Sequence, residues 1–200
     1  MPWSSEQKEK SREKILDSAI ELFSRRGFDN VAIGDLMQAA GMTHGGFYAH
    51  FGSKSELYRE AVTLAARKSA VAKLSAETLS AEERLSKLLV GYLDISHVQQ
   101  ANPPCPLAFL ATDIANRDGD VRTAYTQVFR RLVALIGRQL PNENGSRRET
   151  ALALSAMMIG GVAVARALND DRSVEQLLDA CRKTGVQMIE NSADTKKPRP

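Results

Sequence analysis

Apolar side chains recur every three to four positions along most of the chain, which is the period of an amphipathic α-helix. The first helix is predicted from about Ser5 to Arg26, and Gly27 ends it. Its apolar positions lie on one face, at Ile15, Leu16, Ala19, Ile20 and Phe23. No segment alternates apolar and polar residues as a half-buried strand would. The pattern therefore predicts an all-α protein of about nine helices.

Several later helices are marked by a capping box, in which a serine and the Glu or Gln three residues on bond each other's backbone N–H groups. Four such pairs precede apolar stripes, at Ser53–Glu56, Ser80–Glu83, Ser146–Glu149 and Ser173–Gln176. Two further helices are predicted from the apolar period alone, one beginning near residues 102–106 and one after Asp118.

The stretch from residue 32 to residue 51 has the pattern of two short helices joined by a tight turn. The first of them is apolar on one side, at Leu36, Met37, Ala39 and Ala40. Gly41 ends it, because glycine tolerates the left-handed backbone just past a helix end. Thr43 offers a hydroxyl to cap a second helix, from His44 to about His50. This order is that of a helix-turn-helix.

The second short helix carries two glycines that a purely structural helix would avoid. Gly45 and Gly46 each cost about 1 kcal/mol relative to alanine, so we expect the helix to lie against something bulky, such as a DNA groove. No Asp or Glu occurs between Leu36 and Ser55, as a phosphate-facing surface requires. Net charge does not indicate DNA binding. The whole chain has a net charge of +3, but residues 1–60 hold eight basic and nine acidic side chains and have a net charge of −1.

Four sequence blocks in this region resemble the DNA-binding head of TetR-type (TetR/AcrR) transcriptional regulators, over about residues 9–69. They are Arg12-Glu-Lys-Ile-Leu-Asp-Ser-Ala-Ile-Glu-Leu-Phe, Arg26-Gly-Phe, Ala40-Gly-Met-Thr-His-Gly-Gly-Phe-Tyr-Ala-His-Phe and Ser53-Lys-Ser-Glu-Leu. The resemblance implies that DNA phosphates are contacted by Thr43, Tyr48, His50 and Lys54. It places His44, Gly45 and Gly46 where base edges are approached. Phe47 and Phe51 are expected to be core residues.

The chain departs from the family pattern at the start of the second helix. The family usually has Thr or Ser at the positions equivalent to Val31 and Ala32, where a hydroxyl caps the helix and contacts phosphate. Without that hydroxyl, Asp29 or Asn30 is left to cap the helix.

The resemblance also implies a second domain that binds a small-molecule inducer and forms a homodimer. We predict a DNA-binding head at 1–52, a ligand-binding and dimerisation domain at 53–191 and a disordered tail at 192–200. The helix within 146–168 is rich in small residues, including Gly160-Gly161. We predict that this helix and the one at 173–190 pair with the same two helices of a second protomer, which gives a four-helix dimer interface. A buried helix in a monomeric core is the alternative. The homodimer would repress from a palindromic operator until an inducer releases it.

The inducer pocket is not readable residue by residue. The resemblance places it among the middle helices, whose candidates are Tyr92, His97, Phe109 and Tyr125, and each of these also suits a plain core. Cys105 is predicted at a helix N-terminus, which favours the thiolate. It is therefore either an electrophile sensor, partly exposed, or a small apolar residue at a turn. An enzyme that uses Cys105 with His97 as base is the alternative function, and a nonspecific DNA-coating protein is a third.

Composition narrows the class further. Hydrophobic residues make up 43% and charged residues 26% of the 200, as in soluble globular proteins. No apolar run approaches the length of a membrane span, the N-terminus lacks a signal-peptide core, and the two cysteines are too far apart in sequence to indicate a disulfide scaffold. Three scattered histidines give no metal-ligand spacing. We expect a cytoplasmic protein with neither cofactor nor metal.

Overall fold

A computed structural model describes residues 5–69, 79–99, 105–141 and 147–194. These ranges contain only helices, so the all-α prediction is confirmed. They hold ten α-helices and one 3₁₀ helix, against about nine predicted: α1 (Ser5–Arg26), α2 (Ile33–Ala39), the 3₁₀ helix (His44–Ala49), α3 (Lys54–Lys68), α4 (Ala81–Tyr92), α5 (Ile95–Val98), α6 (Pro106–Phe109), α7 (Ala111–Ile114), α8 (Gly119–Gln139), α9 (Arg147–Ala165) and α10 (Asp171–Asp194).

The extra helices come from the middle of the chain. The one helix predicted to run on from residues 102–106 is divided into α6 and α7 by Leu110, whose φ of −119° and ψ of 4° leave the helical region. Apolar burial continues across the break at Leu107, Leu110 and Ile114. The apolar period therefore could not reveal it. The short α5 was not predicted.

The predicted capping boxes have three different outcomes. Ser80 and Glu83 bond each other's backbone N–H groups, at 3.2 and 2.8 Å, as predicted. Ser53 accepts from the N–H of Glu56, but Glu56 accepts from the N–H of Gly52. The Ser173 box is wrong, because Asp170 accepts from Ser173 N–H and α10 begins two residues earlier. The box at Ser146 lies outside the described residues.

The helices at 33–39 and 171–194 also differ from prediction at their ends. Ala32 is the residue before α2, and its N–H donates to the Asp35 carboxylate at 2.9 Å. Neither Asp29 nor Asn30 caps this helix. α10 reaches Asp194, so the first three residues of the predicted 192–200 tail are helical. The last six lie outside the described residues.

The chain divides into two compact units, of which the first comprises Met1–Lys68 and Pro104–Gln127. Its core contains an aromatic cluster in which Tyr58 meets Phe23 at 4.7 Å and Phe28 at 5.1 Å between ring centroids. Phe47 and Phe51 are 0% and 2% exposed, which confirms them as core residues. The 3₁₀ helix, which contains Phe47, packs against α2, and the Phe51 ring lies under Arg12 of α1. The boundary predicted between residues 52 and 53 concerns function and stays a prediction.

The second unit comprises Ser69–Pro103 and Val128–Pro200, and its helices approach each other closely at glycines. A Cβ added at Gly161 would lie 2.8 Å from a Leu93 methyl and 3.3 Å from the Cys181 sulfur. The close approach predicted for the glycine pair therefore exists at Gly161, but it is made within the protomer. At Gly160 an added Cβ would meet nothing within 4 Å.

The helix α9 is, among the described helices, the one long and apolar enough to cross a membrane, with a mean hydropathy of 1.3. The prediction that no apolar run reaches that length was therefore wrong. Length and composition are weak evidence of a span, since core helices of soluble proteins share them. Within this chain 39% of the apolar window is buried.

We predict that Gly185→Ala leaves the protein less stable than Gly91→Ala does. An added Cβ there would lie 2.6 and 2.9 Å from the two Leu89 methyls and 2.9 Å from the Met157 methyl. Such overpacking costs about 1–3 kcal/mol. The control is Gly91→Ala in α4, where an added Cβ meets nothing within 4 Å. Urea unfolding followed by circular dichroism measures both. Equal free energies of unfolding for the two variants would contradict the close packing.

Candidate nucleic-acid interface

The turn between α2 and the 3₁₀ helix has the conformation predicted from Gly41. Its φ is +70°, in the left-handed region that favours glycine. The Gly41 N–H donates to the Gln38 carbonyl, and the Met42 N–H donates to the Met37 carbonyl at 2.8 Å. These bonds satisfy the carbonyls at the end of α2 and direct the chain into the next helix.

The second short helix is a 3₁₀ helix that ends at Ala49, one residue before the predicted end. Thr43 precedes it with an extended backbone, but its hydroxyl makes no capping bond. The predicted cap is therefore wrong. Phe47 anchors the helix in the core, and the opposite side carries the exposed residues Thr43, His44, Gly45 and Tyr48. Tyr48 is 63% exposed.

The protein itself does not require either glycine of this helix. A Cβ at Gly45 would meet nothing within 4 Å, and one at Gly46 would make ordinary contacts, 3.5 Å from a Met37 methyl and 3.8 Å from the Thr43 hydroxyl. Neither residue has a left-handed φ. The missing side chains therefore leave an open surface that no part of the described chain fills.

A cleft of about 930 Å³ opens beside Gly46. Its lining residues carry no carboxylate and comprise Lys8, Gln38, Gly41, Met42, Thr43, Gly46, Ala49 and His50. His50 is half-buried on one wall. Burial lowers the pKa of His50 from its ordinary 6.5, and the positive charges of Lys8 and Arg12 lower it further. The imidazole is therefore neutral at pH 7.

Lys54, at the start of α3, lies on an aromatic ring. Its ammonium is 4.2 Å from the centroid of Phe28, and the guanidinium carbon of Arg117 is 4.7 Å from the same centroid. Such contacts contribute about 0.5–2 kcal/mol. Burial lowers the pKa of Lys54, and the charge of Asp29 opposes that shift.

Arg117 and Asp113 were not predicted to support this region. Arg117 binds both carboxylate oxygens of Asp29, at 2.8 and 2.7 Å. Asp113 accepts from the backbone N–H of Phe28 at 3.2 Å and from the hydroxyl of Tyr58 at 2.5 Å. Burial and the bond to Asp113 raise the pKa of Tyr58. No sequence signal could have found these pairs, since 88 residues separate Arg117 from Asp29.

The inducer-pocket candidates fall into different units. In the second unit, the rings of Tyr92 and His97 meet edge to face at 4.6 Å, and His97 Nδ1 lies 2.7 Å from the Tyr92 carbonyl oxygen. Both side chains are buried. Burial lowers the pKa of His97. The two residues thus pack against each other, as a core pair would.

Cys105, Phe109 and Tyr125 belong to the first unit. Cys105 immediately precedes α6, but it is only 4% exposed, so the predicted partial exposure was wrong. The Tyr125 hydroxyl donates to the Leu107 carbonyl at 2.8 Å. Burial, with the Cys105 thiol nearby, raises the pKa of Tyr125 to about 12. Phe109 is buried. Across the described ranges, no group of three or more His, Cys, Asp or Glu residues could hold a metal ion.

Comparison with known proteins finds relatives for the N-terminal part of the first unit. Residues 15–61 match the family described as bacterial regulatory proteins, tetR family. The HTH-type transcriptional regulator AcrR of Shigella flexneri is 39% identical over 57 residues, which are 28% of this chain and 26% of that protein. The negative regulator of the biofilm operon icaADBC, IcaR of Staphylococcus epidermidis, is 35% identical over 51 residues, which are 26% of this chain and 28% of that protein. The chain thus spans about a quarter of these relatives.

Solved structures match much more of the chain, at low sequence identity. A TetR-family regulator from Agrobacterium tumefaciens has a TM-score of 0.73 and 22% identity over 88% of this chain and 98% of its own. The regulator FadR from Bacillus subtilis, solved with stearoyl-CoA, has a TM-score of 0.70 and 14% identity over 88% of this chain and 98% of its own. These similarities extend the shared fold to the second unit.

We predict that Gly45→Ala stabilises the protein. A glycine-to-alanine change in a compatible conformation adds about 0.4–1 kcal/mol, because the unfolded chain loses freedom. The matched control is Gly41→Ala, which has equally open surroundings but a φ of +70°. It should lose about 1–2 kcal/mol. Urea unfolding measures both. A loss at Gly45 as large as that at Gly41 would show that the backbone itself requires the glycine.

Proposed function

We propose that this chain is a TetR-type regulator, a ligand-responsive repressor that binds a palindromic operator as a homodimer. The observation that supports this proposal most directly is on the outer side of the helix-turn-helix. The protein does not require Gly45 or Gly46 there, and Gly46 lines a cleft without carboxylates. A surface of hydrogen-bond donors without acidic groups suits the phosphate backbone of DNA. The relative IcaR is a negative regulator, which supports repression as the mode of action.

We assign seven residues of this surface a part in DNA binding. Thr43, Tyr48, His50 and Lys54 contact phosphates, and the exposure of Thr43 and Tyr48 supports this. His44 reads a base edge, while Gly45 and Gly46 let the helix backbone approach the groove. Phosphate contacts position the protein and base contacts specify sequence. Operator preference therefore depends on His44 more than on Lys54.

The proposed dimer interface is the outward face of α9, with α10 beside it. The buried residues of α9 lie on one side of the helix, and the opposite side is exposed or half-buried and carries no charge between Leu152 and Val164. That outward face comprises Leu152, Ala153, Ala156, Ile159, Gly160, Ala163 and Val164. Leu152 is 38% and Val164 51% exposed. A contiguous apolar face of this kind favours association, and a two-fold axis would pair it with itself.

The inducer is proposed to be a noncovalent small molecule held by the helices of the ligand-binding domain, which we place at 53–191. FadR, with the same fold, was solved with stearoyl-CoA. Tyr92, His97, Phe109 and Tyr125 stay candidates for its contacts. Burial of Cys105 weighs against the electrophile sensor, because a reagent would have to open the core to reach the thiol. The Cys105–His97 enzyme gains no support from the relatives, which are transcriptional regulators. Binding to operator DNA would place the protein in the cytoplasm.

We expect Lys54→Ala to weaken DNA binding evenly across sequences and to reduce the salt slope by about one unit per lost phosphate contact. His44→Ala should instead change which operator is preferred. An operator selected from random duplexes by the wild-type protein serves as the probe in fluorescence anisotropy at several salt concentrations. Lys68→Ala, at the other end of α3 and paired with Asp17, is the control. An unchanged salt slope in Lys54→Ala would contradict its assigned contact.

Ala156→Glu, at the centre of the outward face of α9, should separate the protomers, since it places two buried charges at a two-fold axis. Sedimentation should show a dimer for the wild type and a monomer for the variant. The monomer should lose binding to the full palindrome. Thr126→Glu adds the same charge at an exposed position of α8 and should stay dimeric. A wild-type monomer at micromolar concentration would reject the interface.

A further inference from the structure

The cleft beside the 3₁₀ helix collects polar groups that have no partner inside the protein. The Lys8 ammonium and the Thr43 hydroxyl make no ion pair or hydrogen bond with any residue in the described ranges. His50 Nδ1 is buried and likewise has no hydrogen-bond partner there. Buried polar atoms are nearly always bonded. The side chains of Lys8, Thr43 and His50, from two different segments, thus line one cleft.

The charges around the cleft favour an anion. None of its lining residues is acidic. Lys8 and Arg12, both on α1, are the charged groups that act on His50. The Arg12 guanidinium is engaged by Glu60 and lies 4.7 Å from the Phe51 centroid. The Lys8 ammonium and the Thr43 hydroxyl, in contrast, bond no residue in the described ranges, so both are available to a ligand.

The state of His50 depends on whether such an anion is present. In the protein alone, burial and two nearby cations disfavour the imidazolium, and a protonated Nδ1 would be a buried N–H without an acceptor. A phosphate in the cleft would bring a compensating negative charge close to the ring that lines it. That charge favours the protonated ring.

We propose that this cleft seats one DNA phosphate per protomer, against Lys8, Thr43 and His50, and that His50 takes up a proton when the phosphate enters. This inference rests on the proposed DNA-binding function and adds its regulation by pH. Lys8 belongs to the phosphate-binding residues alongside the helix-turn-helix. His50 is the one histidine among the lining residues, so the proton is assigned to it.

The sign of the pH dependence follows from linkage. The pKa of His50 is low in the free protein and higher in the complex, so the complex holds a proton that the free protein lacks between those two values. DNA affinity therefore rises as pH falls through the pKa of the complex, and levels off below the pKa of the free protein. A rise of one unit in the pKa strengthens binding about tenfold per protomer.

The first test measures binding by the full-length protein from pH 5.5 to 8.0 at constant ionic strength. The probes are the operator recovered by selection and a random-sequence duplex. Because the phosphate contact is independent of sequence, both should show the pH dependence. His50→Asn keeps a donor near the Nδ1 position without titrating, and it should abolish the dependence. His44→Gln, an exposed histidine on the same surface, should retain it. Loss of the dependence in His44→Gln would overturn the assignment.

The second test needs no variant, since the chain has only three histidines. Proton NMR titration of their ring signals, without and with the random-sequence duplex, gives each pKa directly. The His50 pKa should rise on DNA binding. A pKa for His50 that is the same in both states would reject the inference. A preference for the operator without that rise would leave the repressor function standing, whereas a rise on random DNA without any preferred operator would reject the repressor and keep the phosphate site.

Discussion

The Asp113 carboxylate holds together the part of the molecule from which the candidate interface projects. It accepts from the N–H of Phe28, just after α1, and from the hydroxyl of Tyr58 on α3. Without it, two groups in the aromatic cluster would be left unbonded, at about 1–3 kcal/mol each. Gly27, with a φ of +74°, brings the backbone close to this carboxylate. This one carboxylate therefore ties the backbone just after α1 to α3.

Phe28, in the same aromatic cluster, also contacts Lys54 at the proposed DNA surface. Lys54 and Arg117 both make cation–π contacts with the Phe28 ring. Arg117 is held in place by its two hydrogen bonds to Asp29. The Phe28 ring is therefore in contact with both the start of α3 and the residues that follow α7. A change in the position of Arg117 would alter the surroundings of Lys54, because both cations share one ring.

Some glycines of the chain are needed by the fold itself, and others are not. Gly41 needs its left-handed backbone, and Gly185 leaves room for Leu89 and Met157. Gly45 and Gly46 meet neither need. The proposed contact with DNA would account for their cost to stability. The uncharged outward face of α9 is a similar case, since its buried side already fills the protomer's own core.

The sequence by itself determined the helical class, the helix-turn-helix and the core positions of Phe47 and Phe51, because these depend on local period, turn chemistry and apolar pattern. It could not determine the break at Leu110, since apolar burial continues through it. Tertiary structure alone decided that Gly161 packs within its own protomer, that Cys105 is buried and that Arg117 reaches Asp29. Each of these is a contact between residues distant in sequence, and such contacts leave no local signal in the chain.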